Sequence, residues 1–192
     1  MARRKPRRTH DPRVLRAIAH PLRSRILDEL RAAGPLRAAD VAKMLEIPAN
    51  QASFHLRQLA KYGLVEPAPE LARDGRDRVW RGVSSELHLD EDELEASPGG
   101  KAAMTVFMRN KASWAHLLVD RAFAPKKKTK GTFYAVVEES FRFTKDDGDE
   151  FMSDLSDLLD RWTQKTRGRD GDRKTYEFFA LVQPYPEQRP DA

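Results

Sequence analysis

Gln51, Phe54, His55 and Gln58 recur at short intervals in the stretch QASFHLRQLAKYGLVEP. At about 100° of rotation per residue this spacing gathers them into one stripe of a helix, turned largely away from the stripe formed by Ala52, Leu56 and Leu59. These are side chains that read a surface rather than react with it. An amide can bond an adenine edge in two places, an imidazole can donate to a purine, and an aromatic face can meet a thymine methyl. Asn50 and Ser53 flank the stripe and can serve bases or phosphates. Asn50, Gln51, Ser53, Phe54, His55 and Gln58 are therefore the candidate base contacts. An alternative is open for the same residues: a helix lying against protein, with Phe54 in a dimer contact and His55 in a satisfied core position.

The elements that must position this stripe are legible on either side of it. Asp11-Pro12 opens a helix, the carboxylate as N-cap and the proline at the first helical position, followed by Val14, Leu15, Ile18 and Ala19. Pro21 starts the next helix, with Leu22, Ile26 and Leu30 at a spacing of four and Gly34-Pro35 as its stop. Ala38, Val41, Ala42 and Leu45 give a third helix that Ile47-Pro48 breaks, and Gly63 is placed to cap the fourth after Tyr62. Leu64-Val65 and Arg78–Val83 read as strands joined by the charged turn 72–77. A hairpin behind a helix with a free polar face gives winged helix-turn-helix order from Asp11 to Val83.

Charge follows the same division. Residues 1–81 carry 18 Lys and Arg against 9 Asp and Glu, whereas residues 82–192 carry 17 against 21. The excess positive charge thus lies with the winged helix and points to a polyanionic partner there. Arg73, Arg76, Arg78 and Arg81 belong to the hairpin, where a guanidinium can enter a minor groove or grip phosphates, although Asp74 and Asp77 dilute the field. Arg23, Arg25 and Arg57 are candidate backbone contacts, as are Arg3, Arg4, Lys5, Arg7 and Arg8 on a flexible basic arm spanning residues 1–10.

The stretch Ile18–Arg81, about a third of the chain, resembles the DNA-binding domain of ArsR-type winged helix regulators. The residues that carry the resemblance are Ala19-His20-Pro21-Leu22-Arg23, Arg25-Ile26-Leu27, Asp40-Val41-Ala42, Ser53-Phe54-His55-Leu56-Arg57-Gln58-Leu59 and Gly63-Leu64-Val65. The resemblance implies a bacterial homodimer on operator DNA, usually a repressor released by a signal. The metal-sensing branch of that family holds thiolates before its recognition helix, and this chain has no cysteine. Some relatives bind zinc through His and Asp or Glu on the C-terminal helix. Here His116 and Asp120 lie four apart, but two ligands do not close a tetrahedral site and the other histidines have no spacing to supply the rest. No metal and no cofactor is expected.

Beyond the winged helix, assigned to residues 11–98, the acidic run Asp90–Glu95 and Ser97-Pro98-Gly99-Gly100 read as a boundary. A long helix over residues 99–124 spreads Met104, Phe107, Met108, Trp114, Leu117, Leu118 and Phe123 over more than one face, which suits a dimer contact. Residues 131–186 read as a strand-helix-strand module: strands at Phe133–Val137 and Phe141–Thr144, a helix from about Asp146 to Arg167, and a strand at Thr175–Gln183. The expected fold is mainly α with small β: a winged helix-turn-helix, a long dimerisation helix and a small α+β C-terminal module. Phe143, Trp162, Tyr176, Phe178 and Phe179 could line a pocket for a small organic effector, and are equally what a small core or a second dimer contact requires.

No run approaches a membrane span, so a cytoplasmic protein is expected. The chain has no Gly-rich phosphate loop, nucleophile elbow or metal triad, and Asp146, Asp147, Asp149 and Glu150 lack the spacing of a calcium loop, so no enzyme is expected. The function these readings favour is a sequence-specific regulator that binds double-stranded DNA as a homodimer. The competing reading is a winged helix that binds protein or RNA without operator specificity.

Overall fold

A computed structural model describes residues 7–72, 78–83, 87–125, 130–169 and 173–185. In chain order its elements are β1 (Arg7–Thr9), α1 (Pro12–Ala19), α2 (Pro21–Ala33), β2 (Leu36–Arg37), α3 (Ala38–Leu45), α4 (Ala49–Lys61), β3 (Val65–Pro67), β4 (Val79–Gly82), β5 (Leu87–Leu89), α5 (Glu91–Ala96), α6 (Gly100–Phe123) and α7 (Lys145–Thr166), with a 3₁₀ turn at Pro69–Leu71. The protein is mainly helical, with a small three-stranded antiparallel sheet. No helix among the described residues is long and apolar enough to cross a membrane.

Local chemistry explains the helix ends. The Asp11 carboxylate accepts from the Arg13 backbone N–H at 2.8 Å, satisfying a donor that α1 cannot, and Pro12 has none to satisfy. At the start of α3 the Asp40 carboxylate accepts from the Arg37 backbone N–H at 3.0 Å and from its guanidinium at 2.9 and 2.7 Å. Gly63 ends α4 in the left-handed region at φ 63°, and the Leu64 N–H reaches back to the Leu59 carbonyl at 3.0 Å.

The turn between α3 and α4 uses the same conformation without glycine. Glu46 sits at φ 53°, ψ 44°, where its Cβ is crowded. Glu46→Gly is expected to raise stability by about 0.5–1 kcal/mol, since relief of that crowding exceeds glycine's extra freedom in the unfolded chain. An unchanged or lower urea midpoint would refute this.

Strands β2, β4 and β3 lie side by side in that order, with Leu36 opposite Trp80 and Glu66 opposite Arg81. The β3–β4 pair is the expected wing. One core lies between this sheet and the helices. Leu15, Ile26, Leu30, Leu56, Leu59, Val65 and Leu94 are fully buried in or against it, and each large aliphatic contributes about 1.5–3 kcal/mol of transfer free energy.

Three expectations need correction. The basic arm is not free to its end: Arg7–Thr9 pairs in parallel with Leu87–Leu89, and Thr9 is buried. Nor is the acidic run a boundary. Asp90 caps α5 by accepting from the Glu93 N–H, and Leu94 seals α5 onto the core. The third concerns residues 131–144 and 173–185, which run extended but belong to no sheet among the described residues. Their apolar side chains stand exposed, and among the described residues α7 is the part of the expected strand-helix-strand module that takes regular form.

The start of α6 belongs to the same core as the winged helix. Ala103 and Met104 are buried in it, and the Asn110 amide donates to the Ala19 carbonyl at the end of α1, at 2.8 Å.

Candidate nucleic-acid interface

Helix α4 stands on its buried arc. Ala52, Leu56 and Leu59 are wholly enclosed, and α3 packs alongside, joined through the tight turn at Glu46-Ile47-Pro48. The opposite face is open. Asn50, Gln51, Phe54 and Arg57 are exposed, and Ser53 and Gln58 are partly so. Phe54 keeps 48% of its surface accessible, a large apolar ring turned to solvent amid amides and a guanidinium. The Asn50 side-chain oxygen accepts from the Gln51 N–H at 2.9 Å, leaving its amide nitrogen directed elsewhere. Lys61 lies on the same exposed face and was missed from the sequence, although it follows Phe54 by seven residues and Arg57 by four, the helical repeat that would have found it.

His55 corrects the expectation of an outward imidazole. It is only 6% exposed, with its ring 4.8 Å from that of His20 and in edge contact with Phe54 at 5.2 Å. On the helical wheel it stands about 60° from Ala52, close enough to the buried arc for the end of α1 and the start of α2 to cover it. His55 therefore supports the face from beneath while Gln51, Phe54 and Gln58 present it.

The His20–His55 contact has an electrostatic consequence. Burial lowers the affinity of both rings for a proton; Arg23 adds to this at His20, and His20 and then Arg23 add to it at His55. Neither buried Nδ1 has a hydrogen-bond partner among the described residues. The unfolded chain then binds protons more readily than the folded one. Stability conferred by the neutral pair is full above the ordinary imidazole pKa of about 6.5 and is lost as pH falls below it toward the lowered folded values. Thermal unfolding should show a midpoint that declines from pH 7 to 5, and His55→Leu should flatten the decline. An equal slope in wild type and variant would refute the assignment.

The arginines divide by what they already hold. Arg57 is exposed on α4, and Arg78 is exposed at the foot of the wing with its guanidinium 5.6 Å from the Trp80 ring centre. Arg23 is not a free cation: its Nε donates to the Ala17 carbonyl at 2.6 Å and a terminal nitrogen to that of Arg16 at 3.1 Å, capping the last turn of α1. Arg25 pairs with the buried Glu29 at 2.8 Å and lies 3.8 Å from Glu177. Both guanidinium groups thus already hold contacts within the protein. Arg81 is also engaged, bridging Glu66 at 2.8 Å and Glu70. Arg73 and Arg76, with Arg3, Arg4 and Lys5, lie outside the described residues.

The aromatic residues expected to line an effector pocket form no enclosure among the described residues. Phe143, Trp162, Tyr176, Phe178 and Phe179 are all exposed. Phe141, Phe143 and Phe151 cluster, with ring centres 5.0–5.5 Å apart, and Phe133 stacks on Tyr176 at 4.6 Å.

The arrangement of α3, the turn and α4 agrees with comparison to known families. Residues 18–68 match a family model described as a helix-turn-helix domain, a span that runs from the end of α1 through β3. This supports a DNA-binding regulator in general terms. No curated protein matches the chain.

Proposed function

We propose that the protein is a sequence-specific transcriptional regulator that binds double-stranded DNA as a homodimer, with the exposed face of α4 in the major groove. The observation that carries this reading is the single open face bearing Asn50, Gln51, Phe54, Arg57 and Gln58, backed by a fully buried arc. An α-helix fits the major groove, and only there do amides meet a donor and acceptor pattern that distinguishes all four base pairs. Gln51 and Gln58 each address an adenine edge, Phe54 meets a thymine methyl, and Arg57 and Arg78 grip flanking phosphates. Two protomers related by a two-fold axis along α6 set their α4 helices about 34 Å apart, in successive grooves of a pseudo-palindromic operator. Occupancy of such a site represses transcription by excluding polymerase, as the resemblance of Ile18–Arg81 to ArsR-type regulators suggests.

Binding of this kind releases counterions. Fluorescence anisotropy on promoter fragments should therefore show affinity falling with salt at a log-log slope of about −0.9 per phosphate neutralised, or roughly 1,000-fold or more between 50 and 200 mM salt for six or more contacts. Affinity that is flat across this range would exclude a phosphate-gripping interface.

A further inference from the structure

No described residue beyond Met104 is buried. Most of α6, all of α7 and the extended segments on either side of it therefore lack a core of their own, yet they are rich in apolar side chains. Phe123 is 74%, Val137 89% and Leu181 71% exposed. Apolar residues point to both sides of the extended segments: Tyr134 and Val136 alternate with Phe133, Ala135 and Val137, and Tyr176, Phe178, Ala180 and Val182 with Phe179 and Leu181. A strand with two apolar faces is a strand covered on both faces. The two segments touch where the Phe133 N–H donates to the Tyr176 hydroxyl at 3.3 Å, and among the described residues no ladder joins them.

We propose that residues 131–185 are half of a domain completed by a second copy of this chain. The extended segments flanking α7 pair with those of the partner in an intermolecular sheet, continuous with the exposed apolar face of α6. The proposal rests on the homodimer reading and names a surface that reading does not require. A second copy is the fitting occupant because extended segments with two apolar faces aggregate unless covered at all times, and only another copy is always present in equal amount. An exposed edge is also self-complementary about a two-fold axis. The half-domain is tied to the DNA-binding head at α2, where Gly168 N–H donates to the Ala33 carbonyl at 3.0 Å and the Thr175 hydroxyl to buried Glu29 at 2.6 Å. The geometry of the shared domain thereby sets the spacing of the two α4 faces.

Hydrogen exchange read by mass spectrometry on the full chain, alongside sedimentation over a dilution series, tests this. Backbone amides of 133–143 and 175–183 should exchange at least about 100-fold more slowly than in unstructured peptide, with protection that falls as the dimer dissociates. Val137→Asp should weaken dimerisation at least about 10-fold. Rapid exchange in protein that sediments as a dimer would overturn the shared sheet and leave the α6 dimer standing. Protection in a monomer would overturn it in favour of pairing within one chain. Sedimentation as a monomer at all concentrations would overturn the homodimer reading as well.

Discussion

Replacing Gly100 by alanine is expected to destabilise the protein by about 3 kcal/mol, a fall of roughly 6–12 °C in the unfolding midpoint for a chain of this size. Gly100 begins α6 where the chain doubles back from α5. Its N–H donates to the Ser97 carbonyl at 2.9 Å, and the Ser97 hydroxyl donates to the Leu94 carbonyl at 2.7 Å. A Cβ at this position would overlap the Leu94 carbonyl oxygen and stand 2.6 Å from the Ser97 hydroxyl. Backbone is not relieved by a change of rotamer, so α5 and α6 must separate. That opens the core at Leu94 and Ala103, both buried. Scanning calorimetry provides the measurement, and a midpoint within 1–2 °C of wild type, well inside that expected shift, would show that the junction tolerates the methyl.

Much of the winged helix is legible in the sequence because its signals are local. Asp11-Pro12, Gly34-Pro35 and Gly63 each mark a helix end through a single backbone requirement, and the two strands of the wing lie within one hairpin. The parts that escaped depend on distant partners. β1 pairs with β5 in parallel across most of the winged helix, with no turn to announce it, and three residues carry no periodicity. In α5 only Leu94 is buried among acidic neighbours, so its helix reads as a linker. Charge alone did not separate Arg57, which is exposed, from Arg23 and Arg25, which hold carbonyls and a carboxylate. His55 lies at the edge of the buried arc, where angle does not decide between inside and outside until the residue that covers it, His20, is known. The apolar pattern of 133–143 and 175–183 reads as strand, and both segments run extended without joining a sheet among the described residues, because a pattern specifies faces and not the identity of the strand alongside.

The second large effect concerns recognition. Gln51 and Gln58 project from the open face of α4 and make no part of the core, so their removal should leave the fold and its attraction to phosphates intact. Each two-bond contact between an amide and an adenine edge is worth about 1–3 kcal/mol of discrimination. Loss of both should narrow the ratio between specific and non-specific binding by about 30-fold or more, chiefly by weakening the specific complex. Phe54, with its ring contact to His55, stays as a positioned apolar anchor.

The most direct measurement is therefore the sequence preference of Gln51→Ala/Gln58→Ala, selected from a random duplex pool beside the wild-type protein at one salt concentration. Wild type should enrich a two-fold site with half-sites about one helical turn apart, and the variant should bind duplex with the preference lost at the positions these amides address. A variant that enriches the same site to the same degree would contradict the assignment of this face of α4 as the reader of DNA.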